Sequence, residues 1–368
     1  MERFNVSRVI GLLLLALLVC SYVEPAVHAA EYYVDFAEGS DDNDGISPQT
    51  AWKRAPGDPY ATANANRTLS PGDVVLLKGG VYYRGSLWVP SEGSPGNPIV
   101  YEGDGWGTGK AIIDGSEPIA GAWLKCESAA DCGGNANWSN IYYTFVDSPS
   151  IAEPALSISL FHNDRPLVAA LGGSDLVGSY VYLRVNPNEI VWREILSYEE
   201  SSHTIIFDSA NVYTDRDTHY ALANVINDNV FDAPGEFYLS PTSKADGSYK
   251  LYAWPLDNED LTTGGDISLA IRVRGIDLKD HNILEGFKIQ KLIGTIFAEG
   301  RAVGAGGTEG VIIRGNEIQL INMINGAAIH CSGSNLASNM LIEDNYLVDP
   351  EKDPLPNNNG IKTLVGGV

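Results

Sequence analysis

Basic side chains are scarce in this chain. Its 368 residues include 24 Lys and Arg against 47 Asp and Glu, a net charge of −23. A surface this acidic repels nucleic acid and anionic membranes, so neither is an expected partner. Charge of either sign is thin, at 19% of residues, while 39 glycines and 19 prolines fit a turn-rich, all-β protein. No Gly-rich phosphate loop follows a strand, and no Gly-x-Ser-x-Gly nucleophile motif is present. Beyond the N-terminus no segment is apolar enough to span a bilayer.

That N-terminus reads as a secretory signal peptide over residues 1–29. Arg3 and Arg8 make a basic start, 10–19 an apolar core too short to cross a membrane, and Val27-His28-Ala29 a small-residue cleavage site. The mature protein is expected to be exported and soluble, and to act as a monomer. Of its cysteines, Cys126 and Cys132 lie close together in a Gly/Asn-rich loop. Export makes a disulfide between them the expected state. Cys331 is expected to be a buried thiol.

The most informative stretch repeats itself. Ile283-Leu284-Glu285-Gly286-Phe287-Lys288-Ile289 is echoed by Ile312-Ile313-Arg314-Gly315-Asn316-Glu317-Ile318 and again by Leu341-Ile342-Glu343-Asp344-Asn345-Tyr346-Leu347, each copy 29 positions after the last. Short apolar runs at a fixed period, bounded by Gly and Asn, predict one strand per turn of a solenoid. Stacked coils lie about 4.8 Å apart, so equivalent residues form ladders. Leu284, Ile313 and Ile342 are then expected inside, Asn316 and Asn345 at a corner, and Glu285, Arg314 and Glu343 in an outward column. A second register, Ile296-Phe297-Ala298, Ile329-His330-Cys331 and Ile361-Lys362-Thr363, places Phe297, His330 and Lys362 outside.

Earlier in the chain come Leu69-Ser70-Pro71-Gly72-Asp73-Val74-Val75-Leu76-Leu77-Lys78-Gly79-Gly80-Val81-Tyr82-Tyr83, then Gly93-Ser94-Pro95-Gly96-Asn97-Pro98-Ile99-Val100-Tyr101 and Ala111-Ile112-Ile113-Asp114-Gly115. The runs 73–77, 81–89, 98–102 and 111–114 read as the first strands, separated by Pro-Gly and Gly-Gly turns. These residues resemble the opening of secreted right-handed parallel β-helix proteins, the group that includes pectate lyases, alginate lyases and chondroitinase-type lyases. From about 140 the 29-residue echo is lost. Asp232-Ala233-Pro234-Gly235-Glu236-Phe237-Tyr238 resembles a hairpin of β-helix proteins with an inserted β-subdomain, some of them similar to β-helical glycoside hydrolases. The expected organisation is therefore a signal peptide (1–29), a cap and first coils (30–139), an inserted β-rich subdomain (140–230), and a hairpin return with further coils (231–368). Asn359-Gly360-Ile361 opens another coil without a cap, so the chain is expected to continue past Val368.

Several groups carry candidate chemistry. Asp42 and Asp44, in Asp42-Asn43-Asp44-Gly45, resemble a calcium loop, with a hydrogen-bonded turn as the alternative. Phe237, Tyr238, Tyr252 and Trp254 are either a sugar platform or the packing of their hairpin. The Glu285/Arg314/Glu343 column reads as a salt-bridge ladder or as paired carboxylates, although Arg314 between the two glutamates robs the pair of a general acid. His330 and Lys362 suit the base of a β-elimination, as resemblance to β-helix lyases implies, with surface residues as the alternative. Asn325-Gly326-Ala327-Ala328 resembles the Asn-Gly-x-Glu stretch that supplies calcium ligands in alginate lyases and chondroitinases, but Ala328 stands where that Glu would be. The expected function is a lyase acting on an acidic polysaccharide. A β-helical glycoside hydrolase and a non-catalytic glycan-binding or adhesin-type solenoid are the alternatives.

Overall fold

The computed structural model describes residues 29–119, 121–132, 134–146, 233–294, 300–319, 326–331 and 338–348, with strands or short pieces at 159–162, 165–166, 168–169, 180–186, 189–199, 202, 204–207, 220–223, 322–323 and 358–362. Residues 1–28, over which the signal peptide is expected, and the segment 295–299 lie outside them.

The coils are three-sided. Glu31–Val34, Val74–Leu77, Ile99–Glu102, Asn282–Glu285, Ile312–Arg314 and Leu341–Glu343 stack in parallel as a first face. Tyr82–Tyr83, Ala111–Asp114, Phe287–Gln290, Glu317–Gln319 and Tyr346–Val348 form the second. The third stacks Leu87–Trp88, Arg274–Asp277, Gly300–Gly304, Gly326–His330 and Asn358–Lys362. This is the parallel β-helix the 29-residue echo predicts. Leu284 and Ile313 are fully buried in register, and Ile342 packs against the same core.

The corner between the first two faces shows why the echo carries Gly and Asn. Gly286, Gly315 and Asp344 occupy equivalent positions and all take positive φ (75°, 64° and 53°), the left-handed turn that a small or Asx residue tolerates best. The next corner residue bonds up and down the stack. Asn316 Oδ1 accepts from Phe287 N at 3.0 Å, and its Nδ2 donates to Leu284 O and to Asn345 Oδ1. Asn345 repeats the pattern, accepting from Asn316 N and donating to Ile313 O.

One coil opens to admit an excursion. After Asp114, at the end of a second-face strand, the chain enters other sheets at Ser116–Pro118 and rejoins the third face at Arg274. By sheet membership the excursion runs from Ser116–Pro118 through Ile267–Ala270, wider than the 140–230 read from the sequence. The Glu236–Ser243 and Tyr249–Ala253 hairpin pairs with Tyr142–Val146 and not with the coils. The long strands Tyr180–Asn186 and Glu189–Glu199 pair antiparallel, as their alternation suggests. Both ends of the excursion meet at one peptide: Gly115 O accepts from the amides of Ile271 and Arg272. The Arg272 guanidinium then bonds Ser116 O and Glu117. A side chain on Gly115 would stand 2.3 Å from Lys291 O, so the crossing leaves no room for one.

Within the excursion Cys126 and Cys132, both buried, are joined in a disulfide. Closing so short a loop contributes about 2 kcal/mol by restricting the unfolded chain. A C126S/C132S double variant is expected to lose that much stability in urea denaturation.

Candidate functional site

The outward column of the first face runs further than the repeat suggests. Glu285, Arg314 and Glu343 are in register as expected, and the ladder continues backwards to Glu102, Leu76 and Tyr33. Glu102 escaped the sequence reading because the whole excursion separates it from its neighbour Glu285. Its own run, Ile99–Glu102, carries the only signal available: an apolar strand ending in an acid, like Asn282–Glu285.

The two neighbouring glutamates sit in different surroundings. Arg314 Nε donates to Glu285 Oε2 at 2.5 Å, pairing that carboxylate with a cation. Among the described residues no cation lies at bonding distance from Glu102. Its carboxylate instead folds over Gly105, where a Cβ would lie 2.6 Å from Oε1 and 2.7 Å from a Leu76 methyl. Burial first, then the Glu285, Asp104 and Glu31 charges, push the Glu102 carboxyl above its ordinary range, with Arg314 pulling the other way. Asp104 overhangs the next turn, within 2.1 Å of where a Gly286 Cβ would sit. An aromatic wall closes the side. The Trp106 indole donates to Leu76 O at 3.2 Å and meets the Tyr33 ring edge-on at 5.5 Å, with Lys78 Nζ 5.5 Å from its centroid. Glu343 lies one coil beyond Arg314 and is exposed.

The third face departs from its predicted register. Val303, not Ile296, stacks with Ile276 and Ile329, while Ile296, Phe297 and Ala298 lie outside the described residues. The spacing along this face is uneven because corner loops of unequal length precede each strand, so the 29-residue period does not transfer to it. His330 and Lys362 are in register by their backbones. His330 is 5% exposed, and the expectation of a solvent-facing imidazole is corrected: the ring is covered. Cys331 is buried, and burial pushes its thiol up. Two coils from His330 along the same column, Asp277 accepts from Arg301 Nε at 2.6 Å and Nη2 at 2.9 Å, and Arg274 approaches it at 3.4 Å. This pair leans over Gly304, whose Cβ would fall 2.0 Å from Asp277 Oδ1.

The hairpin aromatics form no platform. Phe237, Tyr238, Tyr252 and Trp254 are each 5–7% exposed, because Phe237 packs in one cluster with Leu251 and Trp123 while the Tyr238 and Tyr252 rings meet at a tilt, 5.9 Å between centroids. In the acidic loop Asp44 Oδ1 accepts from Ile46 N within its own turn. Bonds from Thr50 and that amide hold the Asp44 carboxyl below the usual range. Asp42 O accepts from Asn64 Nδ2, and the neighbouring Asp41 carboxylate ties the loop to Arg54 N and Thr62 N. Among the described residues no three His, Cys, Asp or Glu side chains converge as a metal ion would require.

No family model matches the sequence, and no curated protein matches it. Solved structures do. A structure described as a glycoside hydrolase superposes with a TM-score of 0.53 at 14% identity, over 82% of this chain and 63% of that one. The shared property is the fold. XylC in complex with xylose gives 0.49 at 13% identity over 86% and 54%. A GH136 lacto-N-biosidase from Eubacterium ramulus gives 0.30 at 13% identity over 86% and 41%. The chain spans less than two thirds of each of these proteins.

Proposed function

We propose that the protein is a carbohydrate-active enzyme that hydrolyses glycosidic bonds, with Glu102 as general acid and Glu285 as its partner carboxylate. One observation carries the reading: two carboxylates on adjacent coils stand in unlike environments, Glu102 pushed up and Glu285 ion-paired to Arg314. Environments that separate two carboxyl groups are what acid and nucleophile roles require. Glu102 gives its proton to the glycosidic oxygen as the bond to the anomeric carbon breaks, and Glu285 adds to that carbon. Water then displaces Glu285, returning its proton to Glu102. The two backbones lie about 4.8 Å apart on adjacent coils, a spacing from which the side chains can set the roughly 5–5.5 Å between carboxyl groups of a retaining pair. The glycoside hydrolase of like fold supports the same reading.

β-Elimination on an acidic glycan, the expectation from sequence resemblance, needs an accessible base, and the covered ring of His330 supports it less well. The test offers the full chain pectate, alginate, chondroitin and neutral xylan, following reducing ends and near-ultraviolet absorbance together. Reducing ends without absorbance are expected, whereas absorbance would establish elimination instead. Silence on both with glycan retained would make the chain a binding solenoid.

A further inference from the structure

The third face carries side chains that the proposed hydrolysis leaves unused. Trp88 is 52% exposed, and its strand is pressed against the cap: Trp88 N donates to Gly57 O at 2.8 Å, and a Cβ on Gly57 would lie 2.5 Å from Trp88 O. Tyr60, in the same cap loop, is 71% exposed. Its amide is fixed to Asp58 Oδ1 at 2.8 Å, and its ring lies 5.4 Å from the Arg54 guanidinium. One coil along from Trp88 is Asp277, whose two carboxylate oxygens both accept from Arg301. Arg274 reaches that carboxylate only at 3.4 Å, and its side chain is 38% exposed. Trp88 and Arg274 therefore stand together on the third face, a different face from that of Glu102, and the loop that carries Tyr60 is tied to the Trp88 strand through Gly57.

We infer that Tyr60, Trp88 and Arg274 form a binding surface for a carboxylated glycan, sugar rings lying on the aromatics and a uronate carboxylate on Arg274. The inference rests on the carbohydrate reading only in that the ligand is a sugar chain. An exposed ring offers a flat apolar face of sugar size with little entropy to lose, and arginine presents planar, paired donors to a carboxylate. Charge selects the occupant further. A chain of net charge −23 repels a polyanion over most of its surface, so such a glycan settles where a guanidinium faces water beside rings.

Affinity electrophoresis through gels containing polygalacturonate, dextran sulfate or neutral xylan tests the surface with the full chain. Polygalacturonate is expected to retard the protein most. Trp88→Ala and Arg274→Gln should each weaken that retardation about tenfold, and Arg274→Gln should also flatten its salt dependence. Both substituted side chains reach solvent, and circular dichroism checks that the fold survives. Equal retardation by xylan, stronger retardation by dextran sulfate, or retention unchanged in both variants would overturn the inference. Hydrolysis kept while retention is lost would leave the Glu102–Glu285 assignment standing.

Discussion

Glu102→Gln and Glu285→Gln are each expected to lower hydrolysis of a glycan that the parent cleaves by about a hundredfold or more, the usual worth of a positioned proton donor or its partner. Glu343→Gln, across Arg314 from the pair, should stay within about twofold, since an exposed charge one coil removed contributes little. The pH profile separates a catalytic role from a structural one. Activity of the parent should fall as pH rises through the raised Glu102 pKa, and the Gln variant should lose that limb. The substitution should have the opposite effect on stability. A carboxyl whose folded pKa lies above its unfolded value favours the fold below the unfolded pKa, and that contribution is lost as pH rises through the folded one. Glu102→Gln should therefore have the higher midpoint of thermal unfolding at neutral pH, converging on the parent in acid. A less active but more stable variant is what a strained functional group leaves when removed. Equal activity at every pH would sink the assignment.

Asn316→Ala is expected to be the most damaging single change in the coils. The residue is 1% exposed, and its amide serves Phe287 N, Leu284 O and Asn345 Oδ1 at once. Truncation strands Phe287 N and Leu284 O where water does not reach, at about 1–3 kcal/mol for each buried group left unpaired. A loss of roughly 3–5 kcal/mol in urea denaturation follows. Asn345→Ala should cost less, because that corner is half-exposed and water can replace part of the bonding. Equal losses at the two positions would show that the ladder is not what Asn316 supplies.

The contrast between what could and could not be read from sequence is physical. The stacked Leu284, Ile313 and Ile342, the asparagine corner and the Glu285–Arg314–Glu343 column were legible because each coil there has the same length, so register equals period. The third face was misread where loops differ in length, and Val303 took the place given to Ile296. His330 shows a second limit. Strand alternation gives the side a residue points to and says nothing about what lies over it. Glu102 was hidden for a topological reason, since no local pattern reports a neighbour that is reached only after a long detour.

That detour shapes how the molecule reaches its native state. Most coils pair with the next one in the chain, and such near-neighbour contacts form quickly and can begin anywhere along a solenoid. The seam between Ile99–Glu102 and Asn282–Glu285 is different, because its two strands meet only after the chain between them has closed a long loop. Two stacks can grow independently, one on each side, and must then join. The knot of bonds at Gly115, Ile271 and Arg272 brings the ends together and shortens that search once the intervening sheets have formed. The last part of the molecule to assemble is then the junction at which Glu102 meets Glu285.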